Sequence, residues 1–188
     1  GRFTGVVFAN EFFDALPVDL LIARDGTWRE MLVDSRGGHF VWMEGAEAGP
    51  DLLAYARRYA PTPEDGALLE VNLNALDWME RIAARLERGW VVTIDYGYTA
   101  RELIRFPQGT LMGYRRHTAR EDVLATPGDC DITAHVNFTA LMDRAAELGF
   151  ASVRLERLAQ TLLAVGEKDQ FASALAASWL ARDDASHL

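Results

Sequence analysis

Apolar and polar positions along this chain follow two different periods, and the change of period marks its organisation. Residues 5–9, Gly5-Val6-Val7-Phe8-Ala9, form a short apolar run that predicts a buried strand. It leads into Asn10-Glu11-Phe12-Phe13-Asp14-Ala15-Leu16-Pro17, where polar residues interrupt the run. Three apolar segments follow, at 18–23, 28–33 and 39–43, separated by Asp25-Gly26 and Arg36-Gly37-Gly38. Those separators are hairpin-turn residues, so the region predicts a small antiparallel meander. Residues 50–59 predict a short helix with Pro50 in its first turn, and residues 61–66 a loop.

From Asn74 to Arg88 the period becomes helical. Leu76, Met79, Ile82, Ala83 and Leu86 recur at spacings of three and four, with Asn74 as N-cap and Gly89 as stop. A second buried strand, residues 90–94, ends in Asp95-Tyr96-Gly97-Tyr98. Helix followed by apolar strand is the rhythm of a parallel α/β sheet. Residues 110–115 predict a short strand, and 131–138 alternates, with Ile132, Ala134, Val136 and Phe138 on one side. Asp131, Thr133, His135 and Asn137 occupy the other side. A helix over 139–148 closed by Gly149, a strand over 152–158 and an Ala-rich helix over 168–182 complete the expectation.

Length and composition narrow the class without naming a function. At 188 residues with 49% hydrophobic and 25% charged positions, the chain reads as globular, and collagen-like or wholly disordered classes are excluded. No apolar run approaches the roughly 20 residues of a membrane-spanning helix. Its single cysteine, Cys130, cannot form an internal disulfide, which points to a reducing compartment. The formal charge of −9 and the scattered basic pairs argue against a nucleic-acid-binding surface. An acidic surface of this kind supports solubility or favours a cationic substrate.

Candidate chemistry collects where the two buried strands end, since ligands of open α/β sheets bind beyond the carboxyl ends of the strands. If strands 5–9 and 90–94 are parallel neighbours, Glu11, Asp14 and Asp95 surround one crevice. In a helical segment Glu11 and Asp14 would share a face. Two such carboxylates can clamp a guanidinium or share a proton. The alternative is structural: Asp14 caps a helix and Glu11 pairs with a surface arginine. His135 could orient a substrate or serve as a hydrogen-bonded core histidine. The remaining histidines and Cys130 lack metal-ligand spacing, so no metal is expected. There is no G-x-S-x-G elbow, no G-x-x-x-x-G-K-[ST] loop and no G-x-G-x-x-G after a strand.

Four motifs taken in order resemble one family. They are Ala9-Asn10-Glu11-Phe12-Phe13-Asp14-Ala15-Leu16-Pro17-Val18; Leu86-Glu87-Arg88-Gly89 leading to Ile94-Asp95-Tyr96-Gly97-Tyr98; Gly109-Thr110-Leu111 with Tyr114-Arg115-Arg116-His117; and residues 127–138, Pro127-Gly128-Asp129-Cys130-Asp131-Ile132-Thr133-Ala134-His135-Val136-Asn137-Phe138. Together they resemble the MidA-type S-adenosylmethionine-dependent methyltransferases, a family that includes a mitochondrial protein-arginine methyltransferase assisting respiratory complex I assembly. Residues 160–166 are similar to that family's last strand region, and Asn137 stands where it usually shows Asp.

The resemblance implies an α/β fold: the C-terminal part of a class I (Rossmann-like) methyltransferase sheet, with an inserted antiparallel β-meander and helix. On that comparison residues 1–17 and 67–166 form a partial methyltransferase core and 18–66 the insertion, with 167–188 as a C-terminal helix. Residues 5–9 would be the fourth strand and 90–94 the fifth of a mainly parallel seven-stranded sheet ending in an antiparallel hairpin. The family's Gly-rich cofactor loop lies on earlier strands. It also implies S-adenosyl-L-methionine as cofactor, held in part by Asn10, Glu11 and Phe12. Glu11, Asp14 and His135 are then the catalytic candidates, and Asp95, Tyr96 and Asp131 the substrate-binding ones. The expected partner is a protein substrate offering an arginine, with neither nucleic acid nor membrane. A bacterial cytoplasm or a mitochondrial matrix is the expected location. The chain alone is expected to be inactive, and an exposed sheet edge would favour a homodimer. The competing reading is a non-catalytic assembly module that keeps the sheet remnant to grip a partner protein.

Overall fold

In this computed structural model, which describes residues 1–60, 64–116 and 118–168, the opening apolar run becomes β1 (Phe3–Asn10). The meander follows as β2 (Asp19–Arg24), β3 (Thr27–Arg36) and β4 (His39–Glu47), each antiparallel to the next. Asp25 and Gly26 both take positive φ, 49° and 77°, as a tight two-residue hairpin requires. Next comes α1 (Pro50–Tyr59), with proline in its first turn where a missing N–H costs nothing. An element beyond the predicted ones then appears: β5 (Leu68–Val71) returns antiparallel to β2. The meander is therefore a four-stranded sheet of order β4-β3-β2-β5 that continues past residue 66.

The helix expected from Asn74 starts earlier and ends sooner, as α2 (Leu73–Arg85). Asn72, not Asn74, is its cap, accepting the Ala75 amide at 2.9 Å, while Asn74 donates to the Pro17 carbonyl. Nor is Gly89 a helix stop, because it lies inside β6 (Leu86–Ile94). β6 pairs in parallel with β1 over its length, matching Val6 with Trp90 and Phe8 with Val92. Short elements follow: β7 (Gly97–Tyr98), α3 (Ala100–Leu103), β8 (Met112–Arg115), β9 (Thr118–Arg120) and β10 (Asp131–Thr133). The alternating segment 131–138 is thus not one strand. It breaks after Thr133, resumes as β11 (Val136–Asn137) parallel to β7, and gives way to α4 (Phe138–Glu147), capped by the Asn137 side chain. Gly97 must be glycine here, since a Cβ would stand 2.2 Å from the Val136 carbonyl oxygen.

The described residues fall into two units, 1–153 and 154–168. In the second, the strand expected at 152–158 is absent: the backbone is irregular up to α5 (Leu158–Lys168), which also absorbs the strand-like region at 160–166. Leu158, Leu162 and Val165 recur at spacings of four and three, the helical rather than the alternating period, which accounts for the difference. Of the helix expected over 168–182, only Lys168 lies within the described residues.

Two apolar clusters hold the first unit together. One joins Leu21, Ala23 and Trp28 of the meander to Tyr55, Ala56 and Tyr59 of α1. The other centres on Phe13, fully buried, with Ala75 and Met79 of α2, Val136, and Leu141 and Ala145 of α4. One face of the β1–β6 pair remains bare: Val6, Phe8 and Trp90 are 60%, 62% and 68% exposed. Parallel sheets are ordinarily covered on both faces, so this patch is unusual for a finished surface.

The parallel pairing depends on one backbone approach. Gly89 has φ 147°, and a Cβ there would meet the Gly5 carbonyl oxygen at 1.7 Å. Gly89→Ala is expected to cost about 2–4 kcal/mol of stability, through strain and a parted ladder. Gly49→Ala, whose added methyl meets nothing within 4 Å, is the control. Denaturant midpoints of the two variants check the contrast, and equal midpoints would refute it.

Candidate active site at the ends of the parallel strands

The site is built on the turn that leaves β1. The Glu11 amide extends the ladder by donating to the Ile94 carbonyl at 2.8 Å. Glu11 then takes φ 47°, a left-handed conformation that costs a non-glycine residue on the order of 1 kcal/mol. Asp95, at the end of β6, holds the chain beyond it. Its carboxylate accepts the amides of Phe13 at 2.8 Å and Phe12 at 3.2 Å through one oxygen, and its own Tyr96 amide through the other. From α2, Asn72 donates to the Phe13 carbonyl. Phe13 is therefore held at its amide, its carbonyl and its buried ring, and the next residue, Asp14, has little freedom.

The turn is not helical, so Glu11 and Asp14 do not share a helix face. They meet nonetheless. Asp14 is 5% exposed, its carboxyl is within hydrogen-bonding reach of Asp95, and Glu11 acts on it electrostatically. Its Oδ1 is buried with no hydrogen-bond partner among the described residues. Burial above all, then the charges of Asp95 and Glu11, raise the Asp14 carboxyl from an ordinary 3.8 to about 6. The three carboxylates expected at the strand ends do lie together.

The segment 134–136 crosses both strand ends. Ala134 donates to the Asp14 carbonyl at 3.0 Å and Val136 to the Tyr96 carbonyl at 2.9 Å. His135 lies between these bonds, but its ring packs elsewhere, against Tyr98 and Phe106. Burial pushes the imidazole below its usual range, against the pull of Glu70, so it is neutral near pH 7. Its Nδ1 is buried and has no hydrogen-bond partner among the described residues. Asn10 and Tyr96 are exposed beside the crevice, while the Phe12 ring sits edge-on to Trp78 and Phe13. Asp131 is exposed in β10 opposite Tyr114, and no described contact joins it to the three carboxylates.

One contributor escaped the sequence reading. The Glu70 carboxylate, on the unanticipated β5, accepts the amides of Thr110 and Leu111 and leaves no room for a side chain at Gly109. Thr110 in turn accepts the His135 amide at 2.9 Å. A lone charge inside the apolar run Leu68-Leu69-Glu70-Val71 is the signal that could have found it.

The profile of the family described as S-adenosyl-L-methionine-dependent methyltransferase, Methyltransf_28, matches residues 2–155. The chain belongs to this family. Among curated relatives, the protein arginine methyltransferase NDUFAF7 homolog of Drosophila melanogaster is 32% identical over 143 residues, 71% of this chain and 30% of its own length. The Xenopus tropicalis NDUFAF7 arginine methyltransferase is 32% identical over 72% of this chain and 31% of itself. Both are described as mitochondrial. A COG1565 superfamily member from Burkholderia thailandensis, crystallised with S-adenosyl-homocysteine, superposes with a TM-score of 0.72 at 34% identity. That match covers 79% of this chain and 38% of the other. The chain thus spans about a third of the length of the curated relatives it matches. Among the described residues, Asn10 is exposed at the end of β1, and no G-x-G-x-x-G loop follows a strand.

The raised carboxyl has a consequence for stability. Native Asp14 keeps a proton that the unfolded chain releases, so its favourable contribution is complete below pH 3.8 and is lost as pH rises through about 6. Relative to Asp14→Asn, the protein should lose about 2–3 kcal/mol across that window. Urea unfolding at pH 4 and pH 7 measures it, and an identical pH slope in the variant would contradict the assignment.

Proposed function

We propose that this chain is the acceptor-binding part of an S-adenosylmethionine-dependent methyltransferase whose substrate is an arginine side chain of a protein. The observation that carries the reading is the buried Asp14 carboxyl beside Asp95 and Glu11, at the carboxyl ends of two parallel strands. A guanidinium remains protonated at neutral pH and presents a planar fork of donors that suits paired carboxylates. The arginine methyltransferase names of the curated relatives support the same acceptor, and a link to respiratory-complex assembly belongs to the same proposal.

When bound, the cofactor supplies an electrophilic methyl group on a sulfonium. Everything else is alignment and charge placement, which dominate in-line displacements. Glu11, fixed by its left-handed backbone, and Asp14 draw the guanidinium charge toward two of its nitrogens and leave the third aimed outward. Asp95 positions both by holding the turn, and the exposed Tyr96 borders the acceptor's path. His135, whose ring packs on Tyr98 and Phe106, steadies the crossing segment 134–136 above the acids, and Asp131 meets the peptide farther out. Asn10, with the backbone of Glu11 and Phe12, would hold the methionine portion of the cofactor, which leaves the Glu11 side chain to the acceptor. The bare face of Val6, Phe8 and Trp90 supports a further part of the reading: a segment outside this sequence completes the sheet and carries the rest of the cofactor site. The chain alone is then inactive.

Two measurements test this. In a protein extended by such a segment, Glu11→Gln should lower arginine methylation at least about 100-fold while S-adenosylhomocysteine still binds. Unchanged methylation would sink the assignment. Thermal shift with S-adenosylhomocysteine should stabilise the extended protein and leave this chain unmoved. Stabilisation of this chain by micromolar ligand would overturn the incomplete-site reading, and a binding-competent extended protein without methylation would favour the assembly-module alternative.

A further inference from the structure

Burial and the charges of Asp95 and Glu11 favour the protonated form of the Asp14 carboxyl. Asp95 accepts three backbone amides, so its oxygens are committed as acceptors. Asp14 is 5% exposed, touches Asp95, and keeps Oδ1 buried without a partner. The charged groups acting on it are Asp95 at the end of β6 and Glu11 at the end of β1, both acidic; the segment crossing above contributes only the Ala134 amide, to the Asp14 main-chain carbonyl. A buried polar atom without a partner costs about 1–3 kcal/mol, and sites retain such atoms where a ligand supplies the partner. Among the described residues no three His, Cys, Asp or Glu side chains are arranged to hold a metal ion. A donor that enters beside Asp14, Asp95 and Glu11 is favoured when it is cationic, because all three neighbours are acids.

We propose that this crevice takes up a guanidinium in exchange for a proton, which leaves the Asp14–Asp95 carboxyl pair for solvent as the cation enters. The inference rests on the acceptor reading above and deepens it. With the crevice empty, one proton relieves the repulsion among Asp14, Asp95 and Glu11. An arriving guanidinium supplies that relief itself and donates to Oδ1, so the proton is no longer held. Binding and deprotonation are two sides of one equilibrium, and the coupling is reciprocal. A neutral isostere gains nothing from expelling the proton, so the exchange discriminates charge as well as shape.

The test uses this chain with carboxyl-labelled aspartate, followed by carbon NMR across pH 4–8. The probe is N-acetyl-arginine-N-methylamide, and the control is its neutral citrulline counterpart. Alone, the Asp14 resonance should titrate near 6. Saturation with the arginine probe should lower that midpoint by at least about one unit, and probe affinity should rise about five- to tenfold as pH increases from 5 to 7. In Asp14→Asn, residual affinity should be independent of pH in that range, and citrulline should leave the wild-type midpoint in place. Arginine binding at a pH-independent affinity, or with an unmoved Asp14 midpoint, overturns the exchange while leaving the acceptor reading intact. Failure of millimolar arginine probe to bind at any pH overturns the acceptor reading and the exchange together. Because the wild-type titration needs no variant, a poorly folding Asp14→Asn would not blunt the result.

Discussion

The bond on which the rest depends is the capture of three backbone amides by one carboxylate, Asp95. Where a parallel strand ends, the chain must turn away, and its first free amides lose their ladder partners. Here the amides of Phe12, Phe13 and Tyr96 all donate to Asp95. Removing that acceptor would leave part-buried donors unsatisfied, at about 1–3 kcal/mol for such a group. It would also release the turn that keeps Glu11 left-handed and seats Phe13 in the α2–α4 core. A single side chain from β6 thereby shapes the loop leaving β1, which binds the crevice to the register of the two strands.

That arrangement forces a second condition. A loop tied so tightly places Asp14 underneath it, close to Asp95 and to Glu11, in a position that water reaches poorly. Like charges at such distances in a poorly solvated place cannot all ionise freely, so one carboxyl is held protonated above its ordinary range. Nothing in packing requires an acid there; an apolar or amide side chain would fill the space with less repulsion. Unfavourable electrostatics and a left-handed non-glycine residue in the same four positions are the pattern expected where structure yields to chemistry.

Much of this was legible in the sequence, and the rest was hidden for identifiable reasons. The meander, α1 and both long parallel strands follow from apolar period and turn residues, because these elements bury their own patterned faces. The meeting of Glu11, Asp14 and Asp95 was legible from the strand ends alone. The manner of meeting was not: a helical spacing of three stood in for a strained turn held by a residue about eighty positions away. Glu70 stayed hidden because β5 is four residues long and its role, clamping the Thr110 and Leu111 amides, is visible only once the sheet is paired. Gly89 misled for a related reason. A glycine after a helical run reads as a stop, whereas here it permits backbone contact with Gly5 across the ladder.

The two faces of the β1–β6 pair bear on what a single strand end can accomplish. On one side α2 and the Phe13 cluster bury the pair and fix the acids; on the other, Val6, Phe8, Trp90 and Val92 stand in solvent. In-line methyl transfer needs donor and acceptor held on a common axis, and effective alignment demands rigid support from both sides of the crevice. The turn that holds the acids is tied down by a threefold amide clamp, a buried aromatic anchor and the crossing segment 134–136. On the proposed reading this is the support an acceptor would need, and the exposed Asn10 is what the same strand end would offer the methyl donor. The better-supported side of that reading is thus the better-buried side of the strand pair.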